Sequence, residues 1–274
     1  MKLKKHLEQH LPKKVHPYLS NAFDTVGDIL IFNKITEELQ PYEKRIGELT
    51  LNHLKHIKVV CKKAGKYKGT YRTPVLRILA GKRTKETIHK ENGVQLKLHT
   101  ENTYFSTRTA TERLRVAELV KKDERILVMF SGIAPFPLVI EKHSKAKEIT
   151  AVEINPHAHK YAKENLKRNK SKKITLYNQD VKKQLPKLKG TFNRIIMPLP
   201  KIAIEFLDLA LTKAKKGTTI HLYAFVLEDE VQQFKKRIQE ICKTSKKKCR
   251  IQKVVKCGQY APKEFRMSFD IKIL

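Results

Sequence analysis

Arg125-Ile126-Leu127-Val128-Met129-Phe130-Ser131-Gly132-Ile133-Ala134-Pro135-Phe136 decides the fold of this chain. Behind Arg125 lies an unbroken apolar run, too short for a helix and suited to a strand buried on both faces. Residues 131–135 are small and include one glycine, which reads as a tight turn, and residues 136–143 begin a helix. Buried strand, small-residue turn and helix together are the opening unit of a parallel sheet with crossover helices.

The alternation continues on either side. Residues 149–153 read as a second strand that ends in Glu153. Asn155 and Pro156 suit the cap and first turn of a helix whose inner face carries Ala158, Ala162 and Leu166. A third strand is expected over 173–177, just before Asn178-Gln179-Asp180, and a fourth at Arg194-Ile195-Ile196-Met197, cut off by Pro198-Leu199-Pro200. Further strands fit residues 218–225, 251–257 and 265–273, with a helix over 228–242. Upstream, residues 111–121 predict a helix that buries Leu114, Ala117 and Val120. The expected class is α/β: a Rossmann-like domain over residues 100–274 with a seven-stranded, mainly parallel sheet.

Residues 1–99 follow a different pattern and are expected to form a smaller α+β domain. Residues 26–32 suggest a strand around a Gly-Asp turn, residues 57–62 another, and Ile46, Leu49 and Leu54 give residues 41–55 helical spacing. Lys66-Tyr67-Lys68-Gly69-Thr70-Tyr71-Arg72 interleaves cations with aromatic rings, a pattern suited to phosphate contacts and base stacking. A basic loop with its rings turned inward fits the same residues.

Lysine and arginine total 59 against 27 acids, a formal net charge of +32 over 274 residues, while 40% of the chain is hydrophobic. That apolar content excludes a disordered basic tail. The charge calls for a polyanion, and its spread through folded-looking segments favours nucleic acid over a membrane surface. Thermophilic surfaces balance lysine with glutamate, which this one does not. No stretch approaches the roughly 18 apolar residues of a membrane span, and the charged start is unlike a secretory signal. A cytoplasmic protein is expected. The four cysteines lack CxxC spacing, so reduced thiols and no metal are the economical reading.

Ligands of open α/β sheets lie beyond the carboxyl ends of the strands. Those ends here are the turn at Phe130, Gly132 and Ala134, then Glu153, Asp180 and the Pro198-Leu199-Pro200 segment. Glu153 follows Gly132 by about 20 positions, the spacing at which an acid meets ribose hydroxyls. Asp180 suits an adenine amino group. Pro135 and Pro137 remove the amide donors that a pyrophosphate would need, so S-adenosylmethionine fits better than a dinucleotide. Two carboxylates that merely cap helices are the alternative reading of the same spacing.

Five ordered motifs carry a family resemblance. Tyr104-Phe105-Ser106-Thr107-Arg108-Thr109-Ala110-Thr111-Glu112-Arg113-Leu114-Arg115 resembles the Phe-Ser-Pro-Arg…Thr-Glu-Arg motif of the archaeal and eukaryotic tRNA (guanine-37-N1)-methyltransferases of the Trm5 type. Met129-Phe130-Ser131-Gly132-Ile133-Ala134-Pro135-Phe136 is similar to their cofactor loop, and Val152-Glu153-Ile154-Asn155-Pro156-His157-Ala158 to their ribose-binding strand end. Met197-Pro198-Leu199-Pro200-Lys201 stands where the family has Asn-Leu-Pro, and Tyr260-Ala261-Pro262-Lys263-Glu264-Phe265 resembles its Tyr-Ala-Pro-Arg-Glu segment. The likeness runs from about Phe23 to the C-terminus.

What the resemblance implies is a methyl transfer from S-adenosylmethionine to N1 of guanosine 37 in the tRNA anticodon arm, by a monomer. Arg113, Phe130, Gly132, Ala134, Glu153, Ile154, Asp180, Val181 and Pro198 would contact the cofactor. Arg108 would reach the guanine near O6, where a fixed cation favours the deprotonated, nucleophilic base. Glu112, Glu148 and Glu153 are the carboxylates that could accept the proton, and Pro198 and Pro200 would line the base. Residues 243–256 add lysines for phosphates. Departures from the family pattern are Val128 for an acid, Ala134 for a glycine and Pro198 for asparagine. Archaeal members carry an extra tRNA-elbow domain that the residues before Phe23 would be too few to supply. Transfer of a 3-amino-3-carboxypropyl group, as in the related wybutosine enzymes, methylation of the tricyclic guanosine intermediate, and non-catalytic tRNA binding are the rival readings.

Overall fold

The computed structural model describes residues 2–65 and 73–274; the Lys66 to Arg72 run lies outside the described residues. The chain divides into two compact units, one of residues up to Glu91 with Gln95–Thr107, the other of Asn92–Val94 with Arg108–Leu274.

In the first unit, helix α1 (Leu3–Glu8) precedes strands β1 (Phe23–Val26) and β2 (Ile29–Phe32), helix α2 (Glu43–His53), β3 (Val59–Lys63), β4 (Leu76–Gly81) and the hairpin strands β5 (Glu86–Glu91) and β6 (Val94–His99). β1 to β4 form one sheet in chain order, with α2 as the crossover between the parallel pair β2 and β3. The single strand expected over 26–32 is in fact a hairpin. Gly27 adopts φ +56°, and a Cβ there would lie 2.1 Å from Thr87 Oγ1, so backbone reverses where only glycine fits. Ile46 and Leu49 are buried on α2 as their spacing predicts, but Leu54 falls beyond the helix end. Residues before Phe23 contribute Leu3, Leu7, Leu11, Val15 and Leu19 to the same core as Leu30, Phe32, Ile46 and Val60. They belong to this domain instead of standing outside it.

The second unit opens with α3 (Ala110–Glu118), then alternates β7 (Arg125–Met129), α4 (Pro135–His143), β8 (Glu148–Glu153), α5 (Pro156–Arg168), β9 (Ile174–Asn178), α6 (Val181–Gln184) and β10 (Phe192–Met197). It closes with α7 (Leu207–Leu211), β11 (Ala214–Leu227), α8 (Val231–Thr244), β12 (Cys249–Ala261) and β13 (Glu264–Ile273). The seven-stranded sheet has the order β12-β13-β11-β10-β7-β8-β9. β11, β10, β7, β8 and β9 run parallel, and β13 and β12 pair antiparallel at one edge. Such central strands are apolar on both faces: Ile126, Leu127, Val128 and Met129 are fully buried, as are Ile195, Ile196 and Met197. Boundaries move where turn chemistry outweighs periodicity. The helix expected from residue 111 ends at Glu118, and the one expected from residue 228 starts at Val231 behind a short 3-10 turn. No helix among the described residues is long and apolar enough to cross a membrane.

Candidate active site

The carboxyl ends of β7, β8, β9 and β10 are neighbours in the sheet, so the loops that follow them share one edge. After β7 the chain turns sharply: Phe130 (φ 55°), Gly132 (φ 57°) and Ala134 (φ 68°) all sit in the left-handed region. Two non-glycine residues held there store strain of the kind concentrated at functional sites. Ser131 N–H donates to the Val152 carbonyl at 3.0 Å, and the buried Asn165 amide of α5 donates to the Ile133 carbonyl at 3.1 Å. The loop is therefore held from two sides before any ligand arrives. Gly132→Ala is expected to cost about 1–2 kcal/mol, the penalty of a side chain in this conformation. Thermal unfolding checks this, with a midpoint about 2–4 °C lower per kcal/mol in a chain of this size.

Glu153, at the end of β8, is the hub. One carboxylate oxygen accepts from Gly132 N–H at 2.7 Å and the other from Asn155 N–H at 2.8 Å. Enclosure by protein raises its pKa above the ordinary carboxylate value, against the N–H groups of Asn155, Gly132 and Ile154 that favour the charged form. Three backbone N–H groups address the carboxylate, whose two oxygens offer about four acceptor positions. A ribose hydroxyl fits the position that remains. Beside it, the Ile154 side chain is 42% exposed, an apolar surface at the strand end. Asn155 caps α5, accepting from His157 N–H at 2.9 Å.

Asp180 lies two residues beyond β9 and caps α6: Oδ1 accepts from Lys182 N–H at 2.8 Å, and Val181 behind it is buried. Phe130 packs edge-on against Phe206 with ring centroids 5.1 Å apart, and Lys182 Nζ lies 5.3 Å from the Phe206 ring. Pro198, Leu199 and Pro200 follow β10, and the Pro200 carbonyl accepts from Phe225 N–H at 3.1 Å. With Pro135 and Pro137 in its first turn, α4 offers few amide donors to a phosphate. An adenosine-type group without phosphates fits these residues.

Arg108 is exposed on the 3-10 turn Thr107–Thr109 that leads into α3. Arg113 is 3% exposed and its guanidinium donates to Thr109 Oγ1. Glu112 is buried, and both of its oxygens accept from Arg115 at 2.7 Å, with Tyr223 O–H also donating to Oε1 at 2.7 Å. Glu148 stands at the opposite end of β8 from Glu153, ion-paired to Arg125 at 2.5 Å. At roughly 3.3 Å per strand residue that is about 16 Å away, which removes it from the candidate proton acceptors.

Residues that sequence reasoning passed over complete the picture. Arg115 also grips Asp270, Asp270 Oδ1 accepts from His221 Nδ1 at 2.7 Å, and His221 Nε2 meets Arg194 Nη1 at 2.6 Å. Arg194 in turn pairs with Glu124 at 2.8 Å. Since Arg194 only donates, His221 must be neutral with its proton on Nδ1. Burial indeed lowers its pKa, outweighing the Asp270 carboxylate. The signal for this chain of groups was a polar residue on the inward face of an otherwise apolar strand.

A sequence model described as the TRM5/TYW2 methyltransferase domain matches residues 87–252, and one described as the TYW2 N-terminal domain matches residues 3–84. The likeness thus begins well before Phe23. Similar proteins include the tRNA (guanine(37)-N(1))-methyltransferase Trm5b of Pyrococcus abyssi, 36% identical over 96% of this chain and 78% of that one. The crystal structure of that protein superposes with a TM-score of 0.86 at 35% identity over the same shares. A complex of aTrm5 with tRNALeu gives a TM-score of 0.84 at 32% identity, covering 100% of this chain and 78% of that one. TYW2 of P. horikoshii, solved with MeSAdo, gives 0.84 at 28% identity over 99% and 98%.

Proposed function

The chain belongs to the TRM5/TYW2 methyltransferase family, and from that membership we propose that it methylates N1 of guanosine 37 in tRNA with S-adenosylmethionine as donor. The observation that carries this reading is the likeness, along 96% of the chain, to a protein named for that reaction. When bound, S-adenosylmethionine supplies a methyl group activated by its sulfonium.

The chain's own residues do the rest. Glu153 takes the ribose on the acceptor capacity its backbone donors leave. Ile154 and Val181 flank the adenine, with Asp180 accepting from its amino group, and Phe130, Gly132, Ala134 and Arg113 complete the cofactor wall. The target guanine leaves the anticodon-loop stack and lies against the Pro198 to Pro200 segment. Arg108 stabilises negative charge at O6 as N1 loses its proton to water. Glu112, with both oxygens engaged by Arg115 and Tyr223, holds α3 in place in this reading. The anticodon arm approaches a single copy of the chain in the cytoplasm, and the net charge of +32 draws its phosphates.

A second reading has one specific support. The P. horikoshii tRNA(Phe) (4-demethylwyosine(37)-C(7)) aminocarboxypropyltransferase is 34% identical over 81% of this chain, and residues 3–84 match a TYW2 N-terminal domain. The same pocket then presents a different carbon of the sulfonium. Incubating the protein and S-adenosylmethionine with an unmodified G37 transcript, a G37→A control and a tRNA carrying 4-demethylwyosine at position 37, followed by nucleoside mass analysis, separates the two. N1-methylguanosine formed only with G37 is the expected product; an aminocarboxypropyl adduct, or no product, overturns the proposal. Glu153→Gln should weaken S-adenosylmethionine binding about tenfold, the loss of one good hydrogen bond to a charged group, as read by equilibrium dialysis.

A further inference from the structure

The β12–β13 hairpin carries an aromatic surface that neither cofactor nor target base uses. β12 slips register against β13 between Gln259 and Ala261: Gln259 faces Phe265 and Ala261 faces Glu264, which leaves Tyr260 as the extra, unpaired residue of a bulge. Bulges re-aim side chains at the rims of sheets. Tyr260 is accordingly 52% exposed, the most exposed aromatic ring among the described residues. One face of the ring stacks on Phe225, with centroids 3.9 Å apart and planes at 23°. Phe225 is itself tied by its N–H to the Pro200 carbonyl. The stack is thus one hydrogen bond from the segment placed against the target base.

One cation shares its face of the sheet: the Arg266 guanidinium carbon lies 5.5 Å from the Phe225 ring. Lys256 Nζ, 3.7 Å from the Phe265 ring, lies on the other face. Lys201, next to Pro200, and Lys263, at the hairpin turn, are exposed. The acids are Glu228, paired to Lys256 at 2.8 Å, with Asp229, Glu230 and Glu264. The hairpin tip is fixed: Lys263 turns at φ 61°, and its carbonyl accepts from Glu228 N–H at 3.1 Å. A rigid aromatic face beside a guanidinium is the arrangement that holds an unstacked base.

We propose that Tyr260, backed by Phe225, is a stacking platform for a single-stranded nucleobase of RNA next to the target nucleotide. When one base leaves the loop its neighbour loses a stacking partner, and Tyr260 replaces it. The idea rests on the tRNA reading above, and its test can fail independently of that reading. The probe is a tRNA transcript with 2-aminopurine at position 36 or 38, bound by the full chain. Emission in the wild-type complex should be quenched at one of these positions, stay quenched in Tyr260→Phe and recover several-fold in Tyr260→Leu, which keeps apolar bulk on Phe225. KM for tRNA should rise about tenfold in Tyr260→Leu, with KM for S-adenosylmethionine unchanged. Quenching and KM equal in wild type and Tyr260→Leu would overturn the platform, as would a change of oligomeric state in that variant, which marks a protein contact. Wild-type protein that quenches but transfers no methyl would sink the catalytic reading and leave the platform standing.

Discussion

Arg108→Ala is expected to lower kcat for methyl transfer by about 10²–10³-fold, the usual loss when one preorganised donor to a developing negative charge is removed. Arg108 is exposed on the turn before α3, so it contributes little to the core and its removal should leave the fold intact. Guanine N1 is a weak acid, and a cation beside O6 lowers its pKa. Without that cation the reactive anion is scarcer at neutral pH, so the variant's rate should climb more steeply with pH than that of wild type. Arg108→Lys keeps the charge but loses the planar fork and should fall between the two. A variant with kcat within threefold of wild type and only KM raised would make Arg108 a phosphate contact, and the charge-stabilising role would be lost.

Asp270→Ala should destabilise the methyltransferase unit by about 3–5 kcal/mol, the cost of removing one partner from a buried ion pair. Asp270 is 5% exposed and joins His221 to Arg115, which in turn holds Glu112 and through it Tyr223. Burial works against its charge, but the hydrogen bonds from His221 and Arg115 win and hold the carboxyl well below the usual range. A depressed folded-state pKa means stability that is complete above the unfolded value of about 3.9 and fades as pH falls through the folded one. His221 adds to the same slope: its folded pKa lies below about 6.5, so protonation in the unfolded chain favours unfolding from that pH downward. Wild-type thermal stability should therefore decline from about pH 6.5 into acid, while Asp270→Ala starts roughly 10 °C lower at neutral pH and shows a flatter acid limb. Equal midpoints, or parallel pH profiles, would show that the chain of polar groups does not tie α3 to the sheet.

That network also changes how Glu112 is understood. By residue type and position in its motif it was one of three proton acceptors. In the folded chain its oxygens are committed to Arg115 and Tyr223, while Glu148 lies at the far end of its strand. Glu153 kept the position its spacing implied, at the end of β8 facing the Gly132 loop. Its direct hydrogen bond to Gly132 N–H was not foreseeable from spacing, because a backbone donor carries no residue identity.

Local pattern was enough to read most of the architecture. Apolar runs such as Ile126 to Met129 report burial on both faces wherever they occur, Asn155-Pro156 specifies a helix start by its own chemistry, and proline after Met197 ends a strand regardless of context. The sequence by itself therefore determined the α/β class, the seven strands and which residues stand at their carboxyl ends. Tertiary structure alone decided the rest. Gly27 turns a strand into a hairpin because Thr87, sixty residues away in round terms, leaves no room for a Cβ. His221 finds Asp270 because β11 and β13 pair in one register out of many, and Tyr260 turns outward because β12 places an extra residue opposite the Glu264–Phe265 step of its partner. These outcomes depend on which distant segments meet, and a periodicity, which measures only how each segment divides between core and solvent, carries no record of that choice.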